Sequence, residues 1–238
     1  MNSGMYAALS GNLTAVRRLE VVSNNLANAS TPGFKADQLQ FESVLANVKK
    51  PTSQDPALAN ERFYTDFTPG PLQKSDNVFD VALEGDGFFV VNTPDGPAYT
   101  RQGNFHRGAG GKLVTAEGYE VQGQGGSITV SGKQVMIDGK GAVNVDGNAV
   151  ATLSTVDFPK PYQLTKLGSG LFRPADPQAT PTPSTAQVKQ GFLEGSNVKV
   201  MVEMARMIEA NRYFELCSKA VKSYDDLATK AVNELGKV

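Results

Sequence analysis

From Val198 to Leu235, apolar or small residues recur at alternating steps of three and four: Met201, Met204, Ile208, Phe214, Cys217, Val221, Tyr224, Ala228, Ala231 and Leu235, with Asn211 the one polar interruption. Such steps put one stripe along one helix face. The opposite face carries Glu203, Arg206, Glu209, Arg212, Glu215, Lys219 and Lys222, largely alternating in sign, and suits water or a charged neighbour. A helix of this length, roughly 55 Å at about 1.5 Å per residue, cannot bury such a stripe against itself. The other end of the chain supplies a counterpart. Met5, Leu9, Leu13, Val16, Leu19, Val22 and Leu26 keep steps of three and four that average the heptad spacing. The pattern predicts two terminal amphipathic helices that pair as a coiled-coil-like element and need further subunits to cover their stripes.

Between the helices the period falls from 3.5 to 2. Short runs such as Phe79–Leu83, Gly87–Val91, Gly111–Thr115, Gln134–Ile137 and Ala142–Val145 are separated by Pro94-Asp95-Gly96, Asp138-Gly139 and Asp146-Gly147. Asp-Gly between apolar runs signals a hairpin, and many short strands predict an antiparallel β domain. The predicted class is α+β, in five segments. They are a first helix (1–35), an extended arm (36–77), an inserted β domain (78–173), a Pro-rich return linker and strand (174–195) and a last helix (196–238). Within the arm, Leu39, Phe41, Val44, Leu45 and Val48 could carry a short helical continuation that Pro51 and Pro56 stop, and Phe63–Phe67 alternates as a strand.

Composition narrows the function. Among 238 residues, 23 Lys and Arg face 24 Asp and Glu, so no basic excess exists to hold a nucleic acid backbone. No run reaches the roughly 18 apolar residues of a membrane span, and the start lacks the basic and apolar regions of a cleaved secretory signal. Cys217 is the only cysteine and His106 the only histidine, which leaves no disulfide, cysteine-zinc site or histidine relay within one chain. The glycine-rich run Arg107–Leu113 lacks the Ser or Thr of a phosphate loop and reads as a hairpin turn. The acidic pairs Glu84 with Asp86 and Asp225 with Asp226 lack an apolar surround that would raise a carboxylate for acid catalysis. No catalytic residue, cofactor or metal is expected.

Asn24, Asn25 and Asn28 are poor helix formers in the last turns of the first helix. Either they accompany fraying, or their amides sit on the seam and fix register and partner choice. The segment Asn24-Asn25-Leu26-Ala27-Asn28, followed by Pro32-Gly33-Phe34-Lys35, resembles the amino-terminal signature of the bacterial flagellar rod and hook family. Leu83–Phe89 with Tyr99–Phe105 is similar to that family's central block. Gln190 to Val198, including Ser196, Asn197 and Val198, is similar to its carboxy-terminal block.

The resemblance implies a structural rod subunit and no enzyme. Its length weighs against the hook subunit, and Met1–Tyr6 with the compact arm after Phe41 favours a proximal rod member over a distal one. It further implies a tube built through the terminal helices, enclosing an export channel and passing torque. Copies of itself, neighbouring rod proteins and the flagellar type III export apparatus would be its partners, and the periplasm-spanning basal body its location, reached without a cleaved signal. The seam would comprise Leu9, Leu13, Val16, Leu19, Val22 and Leu26 with Met204, Ile208, Phe214, Val221 and Tyr224. A surface adhesin with a coiled-coil stalk and a peptidoglycan-processing enzyme are the rivals from other classes. The first requires heptads in one contiguous segment, and the second requires an acid pair.

Overall fold

A computed structural model describes residues 2–42 and 60–235. The chain forms two compact units, one of Met1–Ala27, Asp37–Asp66 and Lys199–Val238, the other of Asn28–Ala36 and Phe67–Val198.

The first unit contains helix α1 (Asn2–Ala27), strands β1 (Asp37–Glu42) and β2 (Asn60–Thr65), and helix α2 (Val200–Leu235). The helices pack antiparallel, with Gly4 beside Tyr224, Gly11 beside Cys217 and Asn25 beside Glu203. The predicted helical continuation after residue 36 is a strand instead: β1 and β2 form a hairpin in continuous register from Asp37↔Thr65 to Glu42↔Asn60. The reason is local. Gln38-Leu39-Gln40-Phe41 alternates with period two, and Asp37 is tied to β2 by the Thr65 hydroxyl at 2.7 Å. Val44, Leu45, Val48, Pro51 and Pro56 lie outside the described residues.

The second unit is antiparallel β structure. Its main sheet runs, in spatial order, through 164–168, 171–174, β6 (Gly96–Thr100), β5 (Phe88–Thr93), 120–123, 113–114 and 106–107. Alternation along β5 sends Phe89 and Val91 into a core with Val81, Leu83, Phe105, Val121 and Ile128, while Phe88 joins Tyr99, Phe158 and Phe172 on the other side. Both faces of the strand are therefore covered.

The turn chemistry is specific. Asp146 and Gly147 both take positive φ, 50° and 86°, and close the hairpin between Ala142–Val145 and Asn148–Thr152 as a two-residue turn. The preceding turn differs from the Asp138-Gly139 reading, since its left-handed residue is Gly141 at φ 84° and Asp138 Oδ1 accepts the amides of Lys140 and Ala142.

The return toward α2 is more regular than a linker. Gln187–Gln190 pairs with Val81–Glu84, and Phe192–Glu194 with Leu72–Lys74, so both ends of the inserted domain close on each other. Only Val188 of Gln187–Gln190 is fully buried, which is why hydrophobic spacing does not reveal this strand. Among the described residues no helix is long and apolar enough to cross a membrane.

Candidate assembly surface

Small residues bring the two helices together. On α1, Gly11 and Ala15 are buried and Gly4 and Ala8 half-buried. A Cβ at Gly11 would fall 2.7 Å from Cys217 Sγ, and one at Gly4 would strike the Tyr224 ring. Val22 and Ala210 are buried further along, Asn12 Oδ1 accepts the Ser218 hydroxyl at 3.3 Å, and the Arg18 guanidinium lies over the Tyr213 ring. Burial pushes the Tyr213 phenol above its ordinary range, with Cys217 adding to the effect.

The large apolar residues expected on the seam are mostly elsewhere. Met5, Leu9, Leu13 and Val16 are exposed, as are Met201, Met204 and Ile208. Leu19, Leu26 and Val221 are half-buried, Phe214 and Tyr224 keep over a third of their surface, and only Val22 is fully buried. The physical reason is distance, since a row of Gly and Ala lets two helix backbones approach more closely than Leu and Met permit. That row, at positions 4, 8, 11 and 15, keeps the same three-and-four spacing and was legible in the sequence. Apolar periodicity alone passed over it.

Asn25 is the polar fixture at the other end of the pair. It is wholly buried, its Nδ2 donates to the Asp37 carbonyl at 2.8 Å and to Glu203 Oε2 at 3.3 Å, and its Oδ1 accepts the Asp37 amide at 3.0 Å. One side chain thus joins α1, β1 and α2. Asn24 is exposed, and Asn28 accepts the Thr31 amide and hydroxyl in the turn that ends the helix. A cavity of about 250 Å³ nearby is lined by Arg18, Asp37, Gln38, Glu203, Arg206 and Glu209 among others. Glu203 there is held as an anion by Arg206 at 2.6 Å, an arrangement suited to fixing a helix rather than delivering a proton.

The remaining signature residues belong to the β unit. Gly33, at φ 66°, passes so close to the Arg101–Gln102 backbone that a Cβ would fall 2.6 Å away, and its amide donates to the Glu194 carbonyl. Phe34 is buried with Lys166 above its ring, and Pro32 is half-buried. Asn197 Oδ1 accepts the Ala36 amide, Ser196 is buried, and Val198 donates its amide to the Ser196 hydroxyl. Beneath them Lys35 and Arg101 both reach the Glu194 carboxylate, at 2.6 and 3.2 Å. Ala27, at the end of α1, is exposed.

Elsewhere the candidate chemistry is accounted for. Glu84 pairs with Lys189 and Asp86 with Lys160 at the surface, Asp225 and Asp226 are exposed, and His106 is exposed on a strand edge. Among the described residues no group of His, Cys, Asp and Glu is placed to hold a metal.

Three family models match in chain order: flagella basal body rod protein over 5–35, the flagellar hook protein FlgE/F/G D1 domain over 82–145, and the flagellar basal body rod FlgEFG protein C-terminal region over 189–234. The chain is 33% identical to the flagellar basal-body rod protein FlgF of Rhizobium meliloti across 99% of each chain. It is 33% identical to that of Caulobacter vibrioides across all of both, and 30% identical to the rod protein FlgG of Bacillus subtilis across 98% of this chain and 99% of that one. The chain belongs to the flagellar basal-body rod family.

It is a structural subunit of that rod, of the FlgF type, serving motility from the basal body. The rod family is a structural one, and the surfaces above are ones for assembly. The three matched segments each contribute one member of the buried trio: Lys35, Arg101 and Glu194. Sequence reasoning quoted all three within its motifs and missed their meeting. Three charged residues far apart in the chain carry no local signal that they will be buried together.

Proposed function

We propose that this subunit polymerises through its terminal helices into a helical tube that transmits torque and encloses the export channel. The observation that supports the reading is the pair of helices carrying large apolar side chains in water, Met5, Leu9 and Leu13 on one and Met201, Met204 and Ile208 on the other. Exposed apolar rows of this size mark interaction surfaces. Packing them against neighbours, with α1 and α2 acting as a coiled-coil-like inner element, gives a wall whose stiffness comes from every covered row. The β unit stays outside that wall and meets neighbouring rod proteins.

Placement at the proximal end follows the FlgF relatives, and the FlgG relative supports the distal end as the second reading. Delivery would use the flagellar type III apparatus, which takes subunits without cleaving a signal. The test is a strain lacking the gene, complemented with a tagged chain. Restored swimming and co-purification of the tag with basal bodies at the inner end of the rod are expected. Normal swimming without the gene, or a tag found only in the cytoplasm, would overturn the reading.

A further inference from the structure

The helix pair presents two different apolar ridges. On α1 the row Met5, Leu9, Leu13 and Val16 lies about 135° around the helix from the glycine-alanine row that meets α2, taking roughly 100° per residue. On α2 the row Met201, Met204, Ile208 and Leu216 lies about 165° from Ala210 and Cys217 by the same measure. Both ridges therefore point away from the partner helix, on opposite sides of the pair. They also stand at different heights. The contacts of Gly4 with Tyr224, Gly11 with Cys217 and Asn25 with Glu203 set the register, so Met5–Val16 stands opposite residues 212–223 and Met201–Leu216 opposite 12–27. The ridge midpoints are about ten residues apart, roughly 15 Å along the axis at about 1.5 Å per residue.

Resting on the reading that this chain polymerises, we propose that the Met5–Val16 ridge of one copy docks on the Met201–Leu216 ridge of the next, displaced about 15 Å along the helix axes. The occupant is a second copy because the two surfaces match in kind and length. Residues 2–16 carry no charged side chain, and neither does the span 204–205 with 207–208 on the facing ridge. A two-fold dimer would join like to like and leave the other ridge in water. A head-to-tail contact covers both, and the axial offset keeps it from closing, so repetition gives an open helix. Each ridge offers on the order of 400–500 Å² of apolar surface, so one contact falls below the roughly 1,200–2,000 Å² of stable interfaces. A free subunit then stays monomeric until a growing end supplies several contacts at once.

Single-cysteine variants of the full chain test this in a Cys217→Ser background, with Leu9→Cys on one ridge and Ile208→Cys on the other. Under mild oxidation at high concentration, a mixture of the two should form the mixed disulfide about tenfold faster than either forms its own, because docking holds the thiols adjacent. A chain carrying both should give a ladder of covalent oligomers. Homodimers from either variant alone at the mixed rate, or a mixed rate no higher than that of Leu9→Cys with the exposed control Lys222→Cys, would overturn the proposal. A chain that co-purifies with basal bodies yet fails this test leaves the rod reading intact and removes only the ridge pairing.

Discussion

Lys35 Nζ lies 2.6 Å from Glu194 Oε1, and both side chains are 1% exposed. Glu194 also accepts Arg101 NH1 and the Gly70 amide, while Lys35 donates to the Thr68 carbonyl at 2.8 Å. Arg101 spends its other donors on the carbonyls of Leu83 and Gly85 and rests over the Phe88 ring. Two cations thus depend on one anion, and the pairs are not interchangeable. Glu194→Ala leaves both cations buried without their counter-charge and should cost about 3–5 kcal/mol. Lys35→Met leaves Glu194 with Arg101 and an amide and should cost clearly less. Urea unfolding of the two variants, followed by far-ultraviolet circular dichroism, measures the order. Equal losses would mean that Lys35, not Glu194, is the hub.

The helix pair makes a separate demand. With Cys217 Sγ 2.7 Å from where a Cβ at Gly11 would stand, Gly11→Leu forces the helices apart and should destabilise their packing by about 1–3 kcal/mol. The β unit should not notice. Amide exchange should rise in residues 5–25 while Phe88–Val91 stays protected, and motility should fail. Leu9→Asp, on a residue 55% exposed, should instead leave monomer exchange unchanged and abolish only assembly.

These two variants also separate what the sequence displays from what it hides. The terminal helices, the inserted β domain and the Asp146-Gly147 turn are each written in local spacing. The large-residue stripes are equally legible, yet spacing says only that a stripe wants a cover. Whether the partner is the other end of the same chain or another copy depends on which face permits closer approach. Gly11 and Ala15 decide that for the intrachain contact, because removing side-chain bulk matters more there than adding apolar area. Asn25 shows the same limit from the polar side. Three asparagines in the last helical turns leave fraying and register open, and only the strand entering at Asp37 gives one of them two hydrogen bonds to a single backbone residue.

Asn25 therefore anchors β1 as well as the helix. Asn25→Ala would strip the Asp37 amide and carbonyl of their partner and remove a donor to Glu203, at about 1–3 kcal/mol for each buried group left unpaired. Exchange at residues 37–42 should accelerate together with the end of α1. If only the helix end responded, the strand would be held by other contacts.

The Tyr162 phenol provides a pH readout. Burial, then the hydrogen bond it donates to Asp157 at 2.8 Å, push its pKa far above the ordinary 10.0. For a group raised in the folded state, the stabilisation is whole below the unfolded value and is lost as pH rises toward the folded one. Stability of the β unit should therefore hold to about pH 10 and decline above it. Tyr162→Phe should flatten that decline. Absorbance at 295 nm should show Tyr6 and Tyr64, both exposed, ionising before Tyr162. An unchanged alkaline slope in the variant would assign the loss to another group.

Register also predicts where α2 is least stable. If Gly4 meets Tyr224 in an antiparallel pair, α1 begins opposite residue 226, and the last turns of α2 run beyond its partner. Leu227 and Val232 are 57% and 71% exposed there. An isolated helical end of about nine residues is marginal in water, since lengths below roughly 12–15 do not hold on propensity alone. Amides of 227–235 should exchange fastest within α2 in the free subunit, and those near Ala210 slowest. Ending the chain after Asp226 should leave the unfolding transition of the monomer unchanged. In an assembled rod the same amides should become protected, because Leu227 and Val232 then gain neighbours. Protection of 227–235 already present in dilute monomer would mean that this end is packed before assembly, and the polymer would need another surface.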